Sequence, residues 1–456
     1  MSITTINPKT GVIIKSYEEL NFGEISDCIE QANKAWLSWR KASLSSRCEL
    51  MLLLEKVLEK EKASLAEMMT TEMGKPIDDS VAEVEKCQYL CRYMSSNIQD
   101  MLQDEIVSSE FHVSKVVFVS TGVILSIMPW NFPLWQVFRF AIGNILAGNV
   151  VLLKHAPIVT GTANKIESLF VEAGFPRGVF TTLIIDESQV PMVIKDDRVK
   201  GVTLTGSKAA GSSVASTAGL ALKKSMLELG GSDPYIVLAD ADIKQAASIC
   251  VAVRMLNAGQ VCISPKRCIV VASVYEEFKS LVLSEIKKYT YGDPAMSGTK
   301  IGPMAREDLR SILHSQILSS IQQGAKLLCG GSIPDGPGYF YPPTLLVDVI
   351  PGMAAFDEEL FGPVVSISCA KSENEAIDLA NKTEYGLGAS IFTQDVARGE
   401  KIATEDIEVG SCYVNAVVAS DPRFPIGGVK NSGFGRELGC YGLREFLNIK
   451  VVCVKS

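Results

Sequence analysis

A chain of 456 residues is too long for one ordinary core, which predicts two large lobes. Apolar residues at 47% and charged residues at 21% describe a packed globular protein and exclude a disordered one. A net charge of −8 without any Lys/Arg-rich run argues against nucleic-acid binding. With no secretory signal pattern and no apolar window of roughly 18 residues, a cytoplasmic location is expected.

Residues 24–100 carry helical periodicity, punctuated by Gly74 and Pro76. The stretch 102–120, LQDEIVSSEFHVSKVVFVS, alternates apolar and polar residues as a half-exposed strand or hairpin does. Short apolar runs then alternate with helical segments. GVILSIM (122–128), VVLLK (150–154), VFTTLII (179–185) and GVTLT (201–205) are separated by helices expected over about 134–146, over 160–173 and from Lys208 onward. Continuous apolar strands joined by crossover helices predict a parallel sheet covered on both faces. A second strand-and-helix series starts near Ser232 with PYIVL, RCIVV, VVSISCA, GASIF and SCYVN. The tail LREFLNIKVVCVKS ends as an alternating strand, suited to an exposed sheet edge or to another subunit.

Twelve cysteines are scattered from Cys28 to Cys453 with no C-x-x-C pair, so reduced, mostly buried thiols are expected and a structural zinc or other metal site is not. Cys262, in NAGQVCISPKRC, follows a run of small and polar residues and is the candidate nucleophile. A thiol needs local help to react as thiolate. The chain has only His112, His155 and His314, none in a segment resembling a Cys–His hydrolase site, so a carboxylate is the expected base.

Glu228, in SMLELGGSDP, sits in an apolar strand broken by Gly230-Gly231, where desolvation would raise its pKa toward general-base range. Taken alone, a structural salt bridge at the strand end explains it better. Asn131, in MPWNFPLWQ, is held between two prolines at a strand-to-helix turn, as a rigid oxyanion donor requires. An Asx turn or helix cap is its plainer explanation. Gly206-Ser207 opens a helix able to receive a pyrophosphate, although the spacing is neither G-x-G-x-x-G nor a P-loop.

Seven segments in order, PWNFP, LLK, LTGS, LELGG, GQVC, EELFGPV and FPIGGVKNSGFGRELG, resemble the aldehyde dehydrogenase superfamily from about residue 5 to the C-terminus. LLKHAP and ELGGSDP make the chain similar to the shorter bacterial succinate-semialdehyde dehydrogenases. The resemblance implies an α/β fold with two doubly wound lobes and a small β oligomerisation arm. It places a cofactor-binding domain at 1–101 and 121–229, a catalytic domain at 230–428, and oligomerisation segments at 102–120 and 429–456. It implies Cys262 as nucleophile, Glu228 as general base and Asn131 with the Cys262 N–H as oxyanion hole. Trp130, Asn131, Lys154, Pro157, Gly206, Ser207, Leu229, Glu359 and Phe361 would line the site of NAD or NADP. Arg139 and Ser420 would meet a substrate carboxylate, and the chain would form a homodimer or homotetramer.

The implied reaction is oxidation of an aldehyde, succinate semialdehyde before glutarate semialdehyde or a short aliphatic one, through a thiohemiacetal and a thioester. A cofactor-free thiol esterase and a non-catalytic relative are the other readings. Pro157 stands where many NAD-dependent relatives carry a glutamate that repels a 2′-phosphate, so either cofactor is expected. Ser264 replaces a cysteine that in some relatives forms a redox disulfide with the nucleophile, and Leu256 replaces a second substrate arginine.

Overall fold

The computed structural model describes residues 2–455. An N-terminal hairpin, β1 (Ser2–Asn7) and β2 (Val12–Glu18), precedes three long helices, α1 (Phe22–Trp39), α2 (Leu44–Met73) and α3 (Ile77–Met101). Each start has a chemical cause. Asn21 and Glu24 form a reciprocal capping box on α1, and the Ser43 hydroxyl accepts from Ser46 N–H on α2. The expected break at Gly74 and Pro76 is present. Gly74 ends α2 at φ 79°, a left-handed conformation that favours glycine, and Pro76 stands directly before α3. The alternating segment after α3 forms β3 (Glu105–Ile106) and β4 (Val113–Ser120).

The first lobe follows as β5 (Val123–Met128), α4 (Trp135–Leu146), β6 (Val150–His155), α5 (Thr160–Glu172), β7 (Phe180–Thr182), α6 (Val190–Lys195), β8 (Val199–Thr205), α7 (Lys208–Leu220) and β9 (Lys224–Glu228). β5, β6, β7, β8 and β9 run parallel; β6 is buried throughout and β5 nearly so, which explains their unbroken apolar sequences. From β5 the chain builds outward through β6 and β7 on one side, then returns to add β8 and β9 on the other. That reversal opens a crevice at the carboxyl ends of β5 and β8, the usual ligand position in such sheets.

The second lobe contains β10 (Pro234–Val237), α8 (Ile243–Met255), β11 (Arg267–Val271), α9 (Tyr275–Ile286), α10 (Glu307–Gln322), β12 (Lys326–Cys329), β13 (Thr344–Val347), α11 (Ala354–Asp357), β14 (Val364–Ala370), α12 (Glu373–Asn381), β15 (Tyr385–Gly386), β16 (Gly388–Phe392), α13 (Val396–Glu405) and β17 (Ser411–Val414). Its seven-stranded sheet has the order β12-β13-β14-β11-β10-β16-β17, with β12 an antiparallel edge. Two α/β lobes with a small β arm is the architecture expected from the sequence.

The chain ends with β18 (Val429–Lys430), β19 (Gly433–Phe434), α14 (Gly439–Arg444) and β20 (Leu447–Val454). β20 pairs along its whole length with β4 of the same chain, forming the arm. The segment 429–456 is nevertheless more than an arm. β19 adds an antiparallel edge to the first sheet at β9, and Leu438, Leu443 and Phe446 pack into the first-lobe core. No helix among the described residues is long and apolar enough to cross a membrane.

Candidate active site

The loop Pro129–Pro133 leaves β5 at the crevice and is clamped from behind. The N–H groups of Leu134 and Trp135, unpaired donors at the entry to α4, both donate to Glu83 Oε1 at 2.8 Å. Glu83 is itself paired with the fully buried Lys75, whose ammonium lies 3.8 Å from the Phe132 ring centroid. His155 completes the clamp. Burial pushes its pKa down to about 4, so the ring is neutral and has one N–H. Nε2 lies 2.8 Å from Pro133 O and Nδ1 lies 3.1 Å from Met128 O, so either tautomer ties the ring to a backbone carbonyl. His155 therefore serves as a scaffold for this loop.

The nucleophile loop leaves α8 through Asn257, Ala258 and Gly259, at φ 49°, 54° and 72°. A Cβ on Gly259 would run into the Gly362 carbonyl oxygen, so only glycine fits there. Buried Arg254 fastens this turn, donating to Gly259 O at 3.1 Å, Ser264 Oγ at 2.6 Å and Val364 O at 2.6 Å. Asn131 and the loop then hold each other. Asn257 Nδ2 donates to Asn131 O at 2.8 Å, and Asn131 Nδ2 donates to Gln260 O at 3.0 Å. An amide nitrogen carries two N–H groups, so Asn131 retains one for a ligand. The Cys262 N–H also has no acceptor among the described residues.

Cys262, Glu228 and Asn131 border one open cleft of about 300 Å³ between the lobes. Gly206, Ser207 and Leu229 line its first-lobe side, and Trp130, Phe361 and Glu359 close around it. Trp130 meets Phe361 edge to face at 5.8 Å. Ser207 caps α7 by accepting from Ala210 N–H at 3.3 Å, which points the positive end of that helix at the cleft. Glu359 Oε1 accepts from Gly231 N–H at 3.2 Å and lies 3.3 Å from the Lys266 ammonium.

Of twelve cysteines, Cys262 alone borders this cleft. It is half-buried, and burial followed by Glu228 pushes its pKa well above the ordinary thiol range, with Lys266 and Arg139 opposing. Lys266 reaches the loop directly, donating to Val261 O at 2.7 Å and to Cys262 O. Glu228 ends β9 almost fully buried. Its Oε2 accepts from Arg139 at 3.1 Å, while Oε1 is buried with no partner among the described residues. Glu228 thus has one oxygen in a buried salt bridge, and its side chain also borders the cleft.

Arg139, expected at the substrate carboxylate, is deeply buried. Its side chain is 2% exposed and pairs with Glu437 as well as Glu228. Burial works against its charge, but Glu437 and Glu228 outweigh that and hold it firmly protonated. The guanidinium is thus engaged by two carboxylates and is not among the residues lining the cleft. Ser420 is also outside the cleft lining, buried, with its hydroxyl unpartnered among the described residues. Lys154 and Pro157 lie beyond the cleft at the carboxyl end of β6, beside β5. The Lys154 ammonium has no partner among the described residues, and burial lowers its pKa against the pull of Glu187 and Asp186.

Glu83, Lys266 and Glu437 were missed from sequence. Lys266 had a signal, a second cation beside Arg267 just after the nucleophile loop. Glu437 lies within the FPIGGVKNSGFGRELG segment, but its partner Arg139 is remote in the chain, as are the α4 amides that Glu83 holds.

Residues 1–452 match the model of a family described as the aldehyde dehydrogenase family. Over 454 residues, covering all of both chains, the protein is 43% identical to a probable succinate-semialdehyde dehydrogenase [NADP(+)] of Synechocystis sp.. It is 44% identical over 448 residues, 98% of this chain and 97% of the other, to the succinate semialdehyde dehydrogenase [NAD(P)+] Sad of Escherichia coli. A crystal structure of succinic semialdehyde dehydrogenase from Streptococcus pyogenes in complex with NADP+ superposes with a TM-score of 0.97 at 36% identity, covering both chains fully.

Proposed function

The chain belongs to the aldehyde dehydrogenase family, and on that premise we propose that it oxidises succinate semialdehyde to succinate with NAD or NADP as hydride acceptor. The observation that carries the reading is the convergence of Cys262, Glu228, Asn131 and the start of α7 on one cleft. The names of the relatives support the carboxylated substrate.

The residues present fit a nicotinamide dinucleotide. The cleft joins a helix N-terminus to the aromatic pair Trp130 and Phe361, and Lys154 offers an unpaired ammonium beyond it. Gly206 and Ser207 would face the pyrophosphate, Lys154 the adenosine ribose, and Glu359 with Phe361 the nicotinamide ribose and ring, with Trp130 and Leu229 as walls. Pro157 leaves room for a 2′-phosphate. When bound, the cofactor supplies the acceptor for the hydride leaving the aldehyde carbon.

In the mechanism, the Cys262 thiol releases its proton to solvent as its sulfur adds to the aldehyde carbon, forming a thiohemiacetal oxyanion. The remaining Asn131 N–H and the Cys262 N–H hold the oxyanion. Loss of hydride leaves a thioester on Cys262. Glu228 takes a proton from water, the water oxygen attacks the thioester carbonyl, and the carboxylic acid departs as Cys262 regains its proton. Ser420 is retained as a proposed substrate contact.

A homodimer or homotetramer is part of the reading. Ile449 and Val451, 63% and 68% exposed, share one apolar face of the arm, which supports burial against a second copy.

The test is a panel of succinate semialdehyde, glutarate semialdehyde, butanal and a thioester, assayed with NAD, NADP and no cofactor, reporting kcat/KM. Succinate semialdehyde should lead, with strict cofactor dependence. Cofactor-independent thioester hydrolysis without aldehyde oxidation would favour the esterase reading, and absence of all activity the non-catalytic one.

A further inference from the structure

The two oxyanion donors come from different lobes, Asn131 from the loop after β5 and the Cys262 N–H from the loop after α8, yet one helix is bonded to both loops. We infer that Asp79 and Glu83 of α3 are positioning residues that set the spacing of these two donors; the inference rests on the proposed oxyanion role of Asn131 and the Cys262 N–H.

Asp79 and Glu83 stand one turn apart on α3 and share a face of the helix. Glu83 Oε1 gathers the N–H groups of Leu134 and Trp135, just beyond Asn131 on the first-lobe loop. Asp79 Oδ2 accepts from the Asn257 N–H at 3.3 Å, across the lobe boundary. Asn257 is fully buried, and its side-chain amide donates to Asn131 O, so this one residue joins α3 to both loops. An acid in the first turn of α3 also suits the helix dipole, but that role does not call for a bond to the other lobe.

α3 can serve as the fixed frame. Val84, Leu90, Met94 and Ile98 anchor it in the first-lobe core. Its start is docked on the second lobe, where Ile77 N–H donates to Pro294 O at 2.8 Å and Gly298 N–H to Asp78 Oδ2 at 2.8 Å. Lys75, just before the helix, is fully buried and pairs with Glu83, so the first loop is not held by an unbalanced buried charge. Neither carboxylate borders the cleft, and both therefore act through the loops. The need for such a frame is steep: oxyanion donors work within about 2.7–3.1 Å of the developing charge, and a misplacement of about 1 Å can cost about 10²-fold.

The experiment measures kcat for butanal and succinate semialdehyde in wild type, Asp79→Ala, Asp79→Asn, Glu83→Asp, Asn131→Ala and Asp79→Ala/Asn131→Ala. Alkylation of Cys262 by iodoacetamide, which forms no oxyanion, and cofactor binding are measured beside it. Asn131→Ala should lower kcat about 10²–10³-fold. Asp79→Ala should lower it about tenfold on both aldehydes, and Asp79→Asn, which keeps an acceptor for Asn257, should restore most of the loss. Glu83→Asp keeps the charge opposite Lys75 but draws the acceptor back by one methylene, and should also cost about tenfold. In the Asn131→Ala background Asp79→Ala should cost less than about twofold, because one of the two donors it aligns is gone. Alkylation and cofactor binding should stay at wild-type values in the Asp79 and Glu83 variants. An unchanged kcat in Asp79→Ala and Glu83→Asp, an equal loss with and without Asn131, or alkylation falling in step with kcat overturns the positioning role alone. Wild-type kcat in Asn131→Ala overturns the oxyanion reading beneath it.

Discussion

Arg139 donates to Glu228 at 3.1 Å while also pairing with Glu437, so the proposed base is held by one oxygen and presents the other. Removing the guanidinium leaves two buried carboxylates facing one another. Breaking a buried pair in this way costs about 3–5 kcal/mol. Arg139→Ala should therefore lower the melting temperature and depress kcat for butanal and succinate semialdehyde alike. Melting curves with kinetics on both aldehydes check this; a selective rise in KM for the carboxylated aldehyde would return Arg139 to a direct substrate role.

Glu228 acts on Cys262 in two opposed ways. As a neighbouring carboxylate it pushes the thiol pKa up, while as proposed base it hydrolyses the thioester. Glu228→Gln should accordingly speed alkylation of Cys262 by iodoacetamide at pH 8 and slow steady-state turnover by about 10²-fold or more. One equivalent of reduced cofactor should still appear in a rapid burst. Slower alkylation together with normal turnover would refute both roles. Cys262→Ala should lose oxidation yet still bind cofactor, read by nicotinamide fluorescence.

Local patterns made much of this site legible. Cys262, Glu228 and Asn131 each stand beside a strand or helix end marked by glycine or proline, and β5 and β6 announce themselves as unbroken apolar runs. Partner choice was not legible. Helical spacing put Arg139 near Asn131, but whether it meets solvent, substrate or carboxylate depends on Glu437, which arrives from the far end of the chain. Glu83 has no distinguishing signal along α3 either; only the packing of Lys75 and the start of α4 against it gives it its role. The β1–β2 hairpin escaped notice because β2 is exposed along nearly its whole length, leaving no alternation to read.

Cofactor preference can be tested at Pro157, which opens a short turn just after Lys154 and β6. A carboxylate there would accept from a ribose 2′-hydroxyl and repel a 2′-phosphate. Pro157→Glu should reduce kcat/KM for NADP at least about tenfold, the equivalent of roughly 1.4 kcal/mol, and leave NAD as good or better. Parallel titrations of the two cofactors at saturating aldehyde measure it. An unchanged ratio would place the adenosine ribose away from this turn.

Glu437 makes global stability depend on pH. Burial pushes its carboxyl up to about 7, Glu228 adding to the effect and Arg139 opposing it. In the unfolded chain the same group titrates near 4.5. Between those values the folded state keeps a proton that the unfolded state releases, so stability is fully present below about 4.5 and is lost as pH rises through about 7. The loss is on the order of 3 kcal/mol, taking about 1.4 kcal/mol for each pKa unit. Asp233, also pushed up to about 7 by burial, contributes in the same direction. Denaturant unfolding of wild type should therefore weaken from pH 5 to pH 7.5, and Glu437→Gln, which stays neutral throughout, should make that slope shallower. A Glu437→Gln slope equal to that of wild type would mean that Glu437 is already ionised at pH 5, with Arg139 winning over burial.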